Sequence, residues 1–89
     1  MNYENNIPTS DEMRAEVDRI VNLKSLSVRQ KEDRLLFINA SLQSQLGSNS
    51  TQKERDHVDL LARILFRGIK SIDPYLGSRA LRTQDGRES

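Results

Sequence analysis

The chain has no cysteine and no tryptophan, and only two phenylalanines, two tyrosines and two prolines among its 89 residues. Without cysteine there are no disulfides, no thiolate metal ligands and no thiol nucleophile. So few aromatics make an aromatic-lined substrate pocket hard to build. No stretch approaches the roughly 20 apolar residues of a membrane span. Residues Met1 to Pro8 lack the basic and apolar segments of a secretory signal, so a cytoplasmic location is expected. Asn39-Ala40-Ser41 and Asn49-Ser50-Thr51 fit the glycosylation pattern, which has no consequence outside the secretory pathway. The four glycines show no phosphate-loop spacing.

What the chain does have is charge, nearly balanced and unevenly placed. Fourteen bases face 13 acids, for a net charge of +1. Residues 1–33 carry seven acids against five bases, and residues 63–89 carry six bases against three acids. The asymmetry points toward a polyanion or an acidic partner. The length accommodates one domain, and a helical core this small gains from burial against a second copy.

Periodicity and capping residues predict three helices, at about residues 10–24, 28–46 and 52–72. Thr9 and Ser10 precede Asp11 and Glu12, a capping hydroxyl followed by first-turn acids. The apolar stripe behind them is Met13, Val17, Ile20 and Val21. Ser27 with Gln30, and Thr51 with Glu54, have the spacing of capping boxes. Helix two carries Val28, Leu35, Ile38, Leu42 and Leu46 on one face, and Gly47 is expected to stop it in a left-handed conformation. Helix three carries Val58, Leu61, Ala62, Leu65, Ile69 and Ile72, and Asp73-Pro74 is expected to end it.

The expected fold is therefore all-α: a three-helix unit over residues 1–77, built on an antiparallel hairpin of helices two and three and dimerising into a larger bundle. Residues 78–89 read as a flexible, disordered tail because they are too polar to offset ordering entropy by burial. In size and helical rhythm, residues 10–72 resemble the small biofilm and signalling connector regulators of enteric bacteria. That resemblance implies a helical dimer and transfers no functional residue.

Some apolar residues are left over from the hairpin core. Phe37 lies about 200° around helix two from Leu35, and Leu36 about 100°. On helix three, Leu60 and Ile64 form one shoulder of the apolar stripe and Phe66 the other. An isolated exposed apolar side chain needs no explanation. Five such residues on two helices suggest a partner-binding patch, so Leu36, Phe37, Leu60, Ile64 and Phe66 are its expected members.

Reaction chemistry finds little footing. Glu54 and His57 share a helix face as in di-metal carboxylate bundles, but a single copy lacks the further carboxylates such sites need. The serines read as caps and loop residues, since a hydroxyl nucleophile needs a base and an orienting group in a cleft. No enzyme activity, cofactor, metal or small-molecule substrate is expected. Arg63, Arg67, Lys70, Arg79, Arg82 and Arg87 form a basic end suited to nucleic acid. Glu54, Asp56 and Asp59 would repel DNA from the start of a recognition helix. The expectation is a regulatory or adaptor protein whose partner is a second copy, another protein or both. A dimeric nucleic-acid-binding regulator is the alternative.

Overall fold

A computed structural model describes residues 7–88, with side chains through Gly86, and consists of four helices with no strand among the described residues. They are α1 (Ser10–Val21), α2 (Val28–Ser44), α3 (Gln52–Ile72) and α4 (Pro74–Glu88). Each of the first three starts on a complete capping box: Thr9 with Glu12, Ser27 with Gln30, and Thr51 with Glu54. The reciprocal bonds satisfy backbone groups that a helix start otherwise leaves open.

Helix α3 is central and touches each of the other three, whereas α4 meets no helix but α3. The core lies between them. Met13, Val17 and Ile20 come from α1, Leu35, Ile38 and Leu42 from α2, and Val58, Leu61, Leu65 and Ile69 from α3. Gly68 sets the approach of α1 to α3, because a Cβ there would run into Val17 Cγ1. Lys31 Nζ donates to the carbonyl of Val21 at 2.8 Å and so ties the end of α1 to α2. The start of α2 meets the end of α3 through the carboxyls of Glu32 and Asp73.

Two expectations are overturned. Residues 78–88 do not form a free tail; they continue α4, and only Ser89 of that segment lies outside the described residues, as do residues 1–6 of the domain. The start of α4 uses the same two residues that end α3. Asp73 Oδ1 accepts from the Leu76 N–H at 3.2 Å, and Pro74 takes the first helical position, where its missing N–H costs nothing. Leu76, Ala80 and Leu81 then pack against the core. Gln84 is only 2% exposed, and its Nε2 donates to the Asp59 carbonyl at 2.7 Å.

The second correction concerns Gly47. No glycine among the described residues has a positive φ. Helix α2 instead ends with Gln45 still near the right-handed helical region, and Ser50 Oγ accepts from the Gly47 N–H at 2.8 Å. A side-chain bond closes this loop without a left-handed residue.

Candidate functional site

Seating α1 on α3 at Gly68 leaves an open groove on each flank of α1. The first, about 370 Å³, lies between α1 and α2. Ile20 and Ile38 supply its apolar floor, while Glu16 and Arg19 of α1 and Asp33 and Arg34 of α2 supply its charges. Arg19 is paired with Glu16. Phe37 stands at the rim with 71% of its surface exposed.

The second groove, about 320 Å³, lies between α1 and α3. Val17, Val21, Ile64 and Gly68 form its floor, and Leu60, 43% exposed, stands beside them. Its charges are Arg14, Asp18, Arg63 and Arg67. Arg14 pairs with Asp11 one turn earlier, and Arg63 pairs with Asp85 of α4 at 2.6 Å. Arg67 is exposed and makes no ion pair with any described residue.

The five expected patch residues therefore separate. Phe37 borders the first groove and Leu60 the second, while Leu36, 38% exposed, lies on α2 and lines neither. Ile64 and Phe66 are buried within the chain itself, at 8% and 6% exposure. Phe66 lies one turn before Lys70 and two turns after Asp59, both of which meet α4. The fourth helix thus covers the shoulder of α3 that a three-helix reading leaves bare.

The basic residues separate in a similar way. Arg63 and Arg67 line the second groove. The backbone of Lys70 is covered by Gly77. Arg79 and Arg82 are exposed on the outer face of α4 together with Tyr75, and the Arg79 guanidinium sits 5.7 Å from the centre of the Tyr75 ring. The side chain of Arg87 lies outside the described residues.

Glu54 and His57 both have structural partners. Glu54 Oε1 accepts from Thr51 in the capping box, and His57 Nε2 lies 2.8 Å from the Pro8 carbonyl, tying residue 8 to α3. Among the described residues no three His, Asp or Glu side chains are grouped closely enough to hold a metal ion. Among the described residues no helix is long and apolar enough to cross a membrane.

Arg14, Glu16, Arg19, Asp33 and Arg34 escape a sequence reading because nothing local shows which flank of α1 faces which helix. The one usable signal is Gly68, since a glycine inside a helical pattern can mark a close packing contact. No family model, curated protein or solved structure matches the chain. The geometry of the two grooves therefore carries the functional reading alone.

Proposed function

We propose that this is a non-enzymatic regulatory or adaptor protein of the cytoplasm that works through helix-mediated protein binding, pairing first with a second copy of itself. Phe37 carries this reading. It is 71% exposed at the rim of an apolar-floored groove, where aromatic anchors commonly dominate binding energy. A two-fold interface has to be self-complementary, offering on one patch what the same patch accepts. Two acids and two bases around one groove meet that condition. Seating each Phe37 in the other copy's groove removes two rings from water, worth roughly 2–3 kcal/mol apiece if fully buried.

The test is solution mass by size-exclusion chromatography with light scattering, for the wild type and Phe37→Asp. The expected result is a dimer that the substitution converts to a monomer with unchanged helicity. A monomeric wild type, or a dimer indifferent to the aspartate, defeats this reading.

The outer face of α4 favours a second reading, nucleic-acid binding. Tyr75, Arg79 and Arg82 are exposed at positions i, i+4 and i+7, which combines a stacking ring with two cations. Fluorescence anisotropy with labelled duplex and single-stranded oligonucleotides tests it. The expectation is salt-dependent binding that Arg79→Glu with Arg82→Glu removes.

A further inference from the structure

We infer that the groove between α1 and α3 receives an acidic amphipathic helical segment of another protein. The inference rests on the reading of this chain as a protein-binding module and is independent of its self-association. The groove is separate from the one that Phe37 borders and differs from it in charge. Three guanidinium groups and one carboxylate line it, against two of each sign in the first. Neither Asp11 nor Asp85, the acids paired with Arg14 and Arg63, is among the lining residues. Arg67 is exposed there and makes no ion pair with any described residue, so an incoming carboxylate pairs with it at no cost of breaking an existing one.

The floor decides between an acidic helix and a phosphate backbone. Above the nearly closed Val17 and Ile64, half-buried Val21 and substantially exposed Leu60 offer apolar surface that a phosphate chain leaves uncovered. Gly68 contributes no side chain and keeps the floor low where α1 crosses. From Leu60 to Ser71 the α3 wall runs roughly 16 Å at 1.5 Å per residue, about three helical turns. A partner helix of that length presents leucine-type anchors to the floor and carboxylates to the arginine rim, which is the helix-in-groove mode of recognition. Opposed charges along the rim set the orientation and speed the encounter.

The probe is a fluorescein-labelled synthetic peptide of about 14 residues, with leucine at i, i+3, i+4 and i+7 and glutamate elsewhere. Its control carries lysine in place of every glutamate. Binding to the full chain is read by fluorescence polarisation, and the peptide's footprint by amide chemical-shift changes. Solution mass is measured on the same samples, so a failure of dimerisation and a failure of peptide binding are scored separately. The glutamate peptide should bind at least roughly tenfold tighter than the lysine peptide, and Arg67→Glu should reverse that order. Leu60→Asp should weaken both peptides, and the shifts should fall on α1 and α3. Circular dichroism establishes that both variants remain folded, as their exposed positions predict. Equal affinity for the two peptides, indifference to Arg67→Glu, or shifts confined to other helices overturns the proposal. So does displacement of the peptide by oligothymidylate whose own binding needs Arg67 and ignores Leu60, because that outcome marks a polyanion site.

Discussion

Gly77 of α4 lies directly against the main chain of Lys70 in α3, so that a Cβ added to Gly77 would meet the Lys70 N and Cα atoms. The contact is between backbones, and no rotamer change relieves it. Alanine has the higher helix propensity by up to about 1 kcal/mol, so Gly77→Ala would be expected to stabilise an unencumbered helix. Here the overlap should dominate and cost about 1–3 kcal/mol, as overpacking does. The expected outcome is lower stability in urea together with faster tryptic cleavage after Arg79 and Arg82. A stabilised variant would show that α4 does not dock at Gly77.

Docking of α4 also depends on few apolar atoms. Leu76, Ala80 and Leu81 are only half-buried, and Gln84 brings a buried Oε1 with no hydrogen-bond partner among the described residues. Gly77 and Gly86 each lower the helix's own stability by about 1 kcal/mol relative to alanine. In native-state hydrogen exchange, amides of α4 should therefore open at a lower free energy than those of α3 around Leu61 and Leu65. Equal protection of the two helices would rule out independent opening.

The weakness of α4 is also why the sequence hid it. Helices α1 to α3 are readable because each has a capping box followed by an apolar stripe, and their observed limits fall close to the predicted ones. Asp73-Pro74 is a stop signal by one rule and a start signal by another, since Asp is a good N-cap and Pro a good first helical residue. After it only Leu76, Ala80 and Leu81 stand at helical spacing among small, polar and basic residues, a far shorter stripe than the one that identifies α3. What holds α4 is the packing of half-buried Leu76, Ala80 and Leu81, a glycine-to-backbone approach, the Arg63–Asp85 pair and one amide-to-carbonyl bond, and all of them arise only after α3 is in place. The grooves were legible in part. Phe37 and Leu60 stand out as apolar residues off the main stripe, but their separation into two grooves depends on how α1 rolls onto Val17 and Gly68.

That roll can be tested at the pair itself. Gly68→Ala places a methyl where Val17 Cγ1 now sits, and valine is too stiff at χ1 to turn aside freely. The single substitution should cost about 1–3 kcal/mol. Val17→Ala alone should also destabilise, by about 1 kcal/mol or more, through lost packing. The double variant adds one methyl where Val17 gives up two, Cγ1 among them, and so relieves the overlap; its cost should fall below the sum of the singles by about 0.5 kcal/mol or more in a double-mutant cycle. Strict additivity would mean that the two residues do not touch.

The carboxyls of Glu32 and Asp73 make the junction of α2, α3 and α4 sensitive to pH. Burial pushes Glu32 above the usual 4.5, with the neighbouring Asp73 acting in the same direction. The backbone N–H of Leu76, followed by hydrogen bonding to Glu32, holds Asp73 below its usual 3.8. Because the Glu32 pKa is raised on folding, its contribution is complete below 4.5 and is lost as pH rises through the raised value. The Asp73 contribution has the opposite sense, present above 3.8 and lost as pH falls through the lowered value. The pair therefore supports the fold best when Glu32 is protonated and Asp73 ionised, a window bounded above by the raised Glu32 pKa and below by the lowered Asp73 pKa. Glu32→Gln retains a donor toward Asp73 and removes the charge that appears above this window. Its melting temperature should match the wild type in mild acid and exceed it increasingly as pH approaches neutrality. Parallel melting curves from pH 4 to 8 would show that ionising Glu32 does not weaken the fold.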